Sequence, residues 1–392
     1  MGDVNELDYV LLAGRAYQST RENKNNWFPV LNNWKEIYGS HEILKNSGFE
    51  AVAYSRGNLS IDQGKDCDIV ISYAGTGPGS VINQPDWWAN YDLATGSCCD
   101  QLRQAAAYYL MIKQQYPKAT ITLTGQSLGG GLAALIGVFF NANAVTFDQA
   151  PFSNSANIAI RDDLINYLTT PQGGNPALYS RENLQLLAPE LFTFTDLAAR
   201  TGLVTNTYVV GESLHEPYML GLQDNFIGQQ IPLGHEFVGV SGMDLHATAT
   251  IALFIMKPEF RLLSAQLKSL YAMMVDENLF YHYASDSSSI ANFQERLLRY
   301  ERGSNQVDEP VVNETRMLTR FTEDLQKIAA QGGMTATNEA LQKTLIAFAM
   351  QMYYTDESTK EDNRHLFNTE GITDNGGLHF KIADVAASLT GD

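Results

Sequence analysis

The chain has 392 residues, 44% hydrophobic and 18% charged, an ordinary globular composition with enough length for a sizeable core. A formal net charge of −18 repels phosphate backbones and anionic headgroups, so nucleic acid is not an expected partner, nor is docking on a membrane by charge alone. The three cysteines, Cys67, Cys98 and Cys99, show no CxxC spacing and are too few for a disulfide framework, so neither zinc nor disulfides are expected to hold the fold.

In chain order, the opening "MGDVNELDYVLLAGRAY" is acidic where a secretory leader needs basic residues, and it lacks the Ser or Thr of a myristoylation signal. No run approaches membrane-span length. Apolar spacing predicts helices over 8–18 and 33–46 around an Asn-rich turn. "FEAVAYS" (49–55) and "CDIVISYAG" (67–75) read as strands. After an irregular aromatic stretch comes a helix over 99–115, stopped by Pro117. "TITLTG" (120–125) is a strand, Ser127 to Phe140 a helix, and "NAVTFDQAP" (143–151) the next strand. This alternation predicts an α/β fold with a mostly parallel sheet. A polar insertion with helical pieces (152–203), a strand "TNTYVVGES" (205–213) and a helix over 244–256 follow, and from about 259 the chain reads as helices between polar loops. The expected organisation is a core over 1–256 carrying the insertion, and a mainly helical region over 257–392.

Gly125-Gln126-Ser127-Leu128-Gly129 is a G-x-S-x-G between a predicted strand and a small-residue helix. That context calls for a sharp, strained turn that exposes a serine hydroxyl at the carboxyl edge of the sheet. The helix behind it aims N–H groups at developing negative charge. The plain alternative, a helix cap in a glycine loop, does not need so much glycine. Ser127 is therefore the candidate nucleophile, and the N–H of Leu128 a candidate oxyanion donor.

"TGQSLGGGLAAL" resembles the nucleophile region of the class 3 (fungal-type) lipases, with "ISYAGT" (71–76), "DWWANYD" (86–92) and "AVTFDQAP" (144–151) where that family has its own related segments. The resemblance covers about residues 49–256. It implies an α/β-hydrolase fold and makes Thr76 the second oxyanion donor. Gln126, Ala74 and Asp148 depart from the family's His, Arg and Gly at those places, which implies a divergent bacterial branch.

A serine nucleophile needs a base, and the base needs a carboxylate to orient it. Chain order in this fold is Ser, acid, His. His246, in a polar loop entering an apolar helix, matches the family's placement and is the expected base, ahead of His235 and of His215, which lies close to the acid strand. Glu212, at the end of its strand, is the expected acid, ahead of Asp224 and Asp244. Lid candidates are 77–97, with Trp87 and Trp88, and the insertion 152–203. No cofactor is expected, and no motif calls for calcium. The implied activity is hydrolysis of lipid esters, as a lipase or phospholipase A1, with transient contact to a lipid interface and an extracellular or, failing that, cytoplasmic setting. A different class of reading is a non-catalytic scaffold that binds a partner through its C-terminal helices.

Overall fold

In a computed structural model of the protein, residues 4–17, 28–29, 34–44, 46–75, 94, 96–172, 175–215, 225–237, 239–275, 293–302, 316–331 and 333–357 are described. Thr76, Trp87, Trp88, Asp224, His282, His365 and His379 lie outside them. The chain divides into two compact units, Met1–Thr20 with Val30–Leu233, and Arg21–Pro29 with Gly234–Asp392.

The first unit is built on an eight-stranded sheet in the order β1-β3-β4-β5-β6-β7-β8, with β2 also paired to β3. The strands are β1 (Lys35–Glu36), β2 (Glu42–Leu44), β3 (Phe49–Arg56), β4 (Asp68–Tyr73), β5 (Thr120–Gln126), β6 (Asn143–Phe147), β7 (Val204–Val209) and β8 (Gln229–Leu233). β1, β2 and β4 run antiparallel to β3, while β4 through β8 are parallel. The carboxyl ends of five strands therefore share one edge.

Helices cover both faces, so the strands alternate between two apolar layers. Val52, Tyr54 and Val70 pack with Leu12, Ala16 and Tyr17 on the side of α1 (Glu6–Arg15). Ala51, Ala53, Ile69, Ile71 and Tyr73 pack on the other side, with α2 (Asp100–Gln115) and α3 (Leu128–Phe140). Every residue of α3 is buried, as its unbroken run of Leu, Ala, Gly, Ile, Val and Phe requires. Arg200 closes its carboxyl end by donating to the carbonyls of Val138 and Phe139 at 2.8 and 2.9 Å.

The insertion forms α4 (Ile158–Thr169), α5 (Arg181–Leu187) and α6 (Pro189–Phe192). Its apolar residues Leu164, Ile165, Leu168, Leu191 and Phe194 are buried in the same layer as α2 and α3. Arg103 of α2 makes a two-pronged bond to Asp163 of α4 at 2.8 and 2.9 Å. These residues form a wall of the core. Most of the other lid candidate, 77–97, is outside the described residues.

The second unit comprises, among the described residues, α7 (Gly242–Leu245), α8 (Thr248–Met256), α9 (Pro258–Gln266), α10 (Leu270–Met274), α11 (Phe293–Arg302), α12 (Met317–Gln331) and α13 (Met334–Glu357). Phe321 of α12 is its aromatic hub, with ring centroids 5.4 Å from Phe293, 5.1 Å from Phe348 and 6.2 Å from Phe260. Residues 234–256, expected with the sheet, cluster with these helices.

Two local expectations fail. Residues 33–46 are not a helix but the edge strands β1 and β2. A helical stripe there requires Tyr38 to face inward with Trp34 and Ile37, yet Tyr38 is fully exposed (103%). Gly39, at φ 71°, turns the chain between the two short strands. The edge strand β8 has no counterpart among the predicted elements, because "QQIPL" carries Pro232 and two glutamines and reads as loop. Proline is tolerated at a sheet edge, where no neighbouring strand needs its missing N–H.

Candidate active site

Ser127 occupies the turn between β5 and α3 with φ 57° and ψ −128°, a conformation that costs a non-glycine residue about 1–3 kcal/mol. Hydrogen bonds on both sides hold it there. Its N–H donates to the Phe147 carbonyl at 3.1 Å, and its own carbonyl accepts from Gly131 and Ala150 N–H, both at 3.0 Å. Close approach explains the glycines. A Cβ on Gly129 would lie 2.1 Å from the Tyr73 carbonyl oxygen of β4, which no side chain permits. Gly75, just past β4, is equally pressed, since a Cβ there would lie 2.6 Å from the Gln126 carbonyl oxygen. The end of β4 thus abuts the serine turn, one residue before Thr76. Tyr17, just past α1, donates its hydroxyl to Gln126 Oε1 at 2.7 Å and pins the side chain that stands where the resemblance has histidine.

Leu128 is the first residue of α3. Its N–H is one of the helix's first four, which have no acceptor within the helix, and the positive end of the helix dipole adds to it.

Glu212 lies three residues beyond β7 and is fully buried (0% exposed). The short turn that follows wraps its carboxylate. Leu214 N–H donates to Oε2 at 2.9 Å, His215 N–H to Oε1 at 2.8 Å, and His215 Nδ1 also pairs with Oε1.

Asp148 follows β6 at the same sheet edge, at φ 39° and 0% exposed. One of its carboxylate oxygens lies within 4.8 Å of one of Glu212. Burial first, then the neighbouring Glu212 charge, push its carboxyl well above the ordinary 3.8, against the pull of the Val209 N–H that donates to Oδ1 at 3.0 Å.

In the folded state Asp148 keeps its proton through a pH range where the unfolded chain has lost it. The stability it contributes is complete below about 3.8 and is lost as pH rises through the folded value. Asp148→Asn retains an acceptor for Val209 N–H and cannot ionise. Its melting temperature relative to the parent protein is expected to climb as pH rises from about 4 through the neutral range. A difference that stays flat across that range would show the same charge on Asp148 in both states.

A buried polar lattice supports this edge. Gln149 donates its N–H to Asn206 Oδ1 at 3.1 Å and its Nε2–H to Thr146 Oγ1 at 3.0 Å, and it accepts Ile227 N–H at 2.9 Å. Asn206 in turn donates to Gln230 of β8 at 2.7 Å. One polar set thereby joins β6, β7 and β8 beneath the acidic pair.

His246 belongs to the second unit, in the break between α7 and α8, with its N–H on the Gly242 carbonyl at 3.0 Å. The break splits what the sequence presents as one helix over 244–256. Asp244 is exposed and holds the cap of α7, accepting from Ser241 Oγ at 2.6 Å. His235 is in the same unit, and burial pushes its imidazole down, opposed by the hydrogen bond that the imidazole donates to the Ser264 backbone.

Ser127, Leu128, Glu212 and Gly75 are thus brought to one end of one sheet. Asp148 was not singled out for the site, although it is a carboxylate at a strand end where the resemblance has glycine. His215 was weighed only as a lesser candidate for the base, close to the acid strand.

Residues 9–162 match a family model described as phospholipase-like, a Tle-like phospholipase domain. The chain is 35% identical over 108 residues to the "Extracellular phospholipase A1" of Serratia liquefaciens, which is 28% of this chain and 29% of that one. It is 55% identical over 41 residues to the "Putative lipase ATG15" of Cryptococcus neoformans, 10% of this chain and 8% of that one. The chain therefore spans less than a third of the length of these relatives. No helix among the described residues is long and apolar enough to cross a membrane. The sheet order and the strained serine turn are compatible with an α/β-hydrolase fold, and the matches support a lipase or phospholipase family for this chain.

Proposed function

We propose that this protein is a serine hydrolase of lipid carboxylic esters, a phospholipase A1 or lipase working through an acyl-enzyme on Ser127. The observation that carries the reading is the strained turn at Ser127, which lies inside the segment matched by the phospholipase-like family model. His246 removes the Ser127 proton and returns it to the leaving alcohol, so the hydrolase core extends through residue 246. Glu212 fixes the imidazole tautomer and stabilises the imidazolium. The N–H groups of Leu128 and Thr76 receive the oxyanion, each contributing about 3 kcal/mol to barrier lowering. An extracellular setting is part of the proposal and rests on the name of the Serratia relative alone.

A fluorophosphonate probe followed by peptide mapping tests this directly, and the label is expected on Ser127. A phospholipid panel with different sn-1 and sn-2 chains then reads the substrate class, release from sn-1 being the expected result. His246→Ala is expected to lower ester turnover by at least about three orders of magnitude, and His235→Ala by no more than a few-fold. The reverse pattern transfers the base to His235, whose imidazole is lowered by burial.

A further inference from the structure

The geometry points to His215 as a positioning residue that acts through Glu212 and does not touch substrate. This inference rests on the reading of Glu212 as the orienting acid.

A carboxylate offers about four acceptor positions, two on each oxygen. The turn after Glu212 uses three of them. Both positions on Oε1 receive His215, through N–H and Nδ1, and one on Oε2 receives Leu214 N–H. The orientation of the acid is therefore set by its own turn, independently of the base.

The imidazole is itself clamped. It stacks on Tyr208 at 3.8 Å with a 1° interplanar angle, and on Phe226 at 4.0 Å with a 6° angle. Its side chain is only 12% exposed. Nε2 is buried and has no hydrogen-bond partner among the described residues, Ser127 included, so His215 does not act as the base in this arrangement. A buried ring nitrogen without a partner is destabilising. For a place between two aromatic rings, phenylalanine is the more stable choice. What histidine adds is a donor at Nδ1, and the partnerless Nε2 keeps the proton on that side of the ring.

Asp148 gives the donor its purpose. Two carboxyls within 4.8 Å of each other compete for one negative charge. An N–H aimed at Glu212 holds the charge there rather than on Asp148. Backbone N–H groups from the same turn aim the same way, and the ring completes the set.

The test compares His215→Phe, which keeps the stacked ring and removes the donor, with His215→Asn, whose amide N–H stands where Nδ1–H was. With a soluble p-nitrophenyl ester, His215→Phe is expected to lower kcat about tenfold to a hundredfold and leave KM within about twofold. Fluorophosphonate labelling of Ser127 slows in parallel, while the melting temperature is unchanged or higher. His215→Asn recovers kcat to within about threefold of the parent. His215→Leu removes the donor without the demand of a larger ring and is read in the same way if the Phe variant does not fold. Parent-like kcat in the donor-free variants, or an Asn variant as slow as the Phe variant, overturns the inference. In both cases the parent protein is still labelled on Ser127, so the hydrolase reading survives. A parent protein that takes no label, or a Ser127→Ala variant that keeps its activity, removes the hydrolase reading and this inference with it.

Discussion

Ser127→Ala is expected to leave a folded protein whose ester hydrolysis is at least about three orders of magnitude below that of the parent. The variant isolates chemistry from folding. Alanine keeps the Cβ, so the cost of φ 57° stays in place, and the three backbone hydrogen bonds that hold the turn do not involve the hydroxyl. What is removed is the atom proposed to attack the ester. The residual rate measures the oxyanion donors and binding alone, because water must then replace the serine. Melting temperature and turnover are measured on the same preparation. Near-normal turnover in a folded variant removes the nucleophile assignment.

Glu212→Gln has an expected effect of roughly four orders of magnitude on kcat with little change in KM. An amide in place of the carboxylate permits the wrong imidazole tautomer and withdraws the charge that stabilises the imidazolium. The structure adds a second cause. Both oxygens of Glu212 accept N–H groups, and a glutamine must turn its own NH2 toward one of them, either Leu214 N–H or the His215 pair. The turn is therefore disturbed as well as the charge, and the melting temperature is expected to fall slightly. Turnover within tenfold of the parent would show that the acid lies elsewhere, with Asp224 the next candidate.

The parts legible in the sequence are those that a local pattern dictates. β3 through β7 and α2 and α3 follow from short β-branched runs alternating with helical spacing, and the serine turn follows from its glycines. The parts that were not legible depend on partners distant in the chain. Residues 35–36 and 42–44 become strand because β3 offers an open edge, which no window around Tyr38 reveals. β8 pairs with β7 despite Pro232. The split of 244–256 at His246 has a local cause, the Ser241 cap of α7, which the apolar run that follows conceals. At the site, Asp148 reads as an ordinary strand-end residue until β7 sets Glu212 beside it. His215 acquires its role only when Tyr208 and Phe226 enclose its ring.

The strain at Ser127 bears on how this chain can change over time. Glycine at that position would relax the backbone by about 1–3 kcal/mol, a sizeable fraction of the stability of an ordinary domain. It would keep the hydrogen bonds to Phe147, Gly131 and Ala150, all of which are made by main-chain atoms. Mutational drift guided only by thermostability would therefore exchange serine for glycine at residue 127 and leave the sheet untouched. A serine there strains the folded backbone, and the proposed role as nucleophile accounts for its presence.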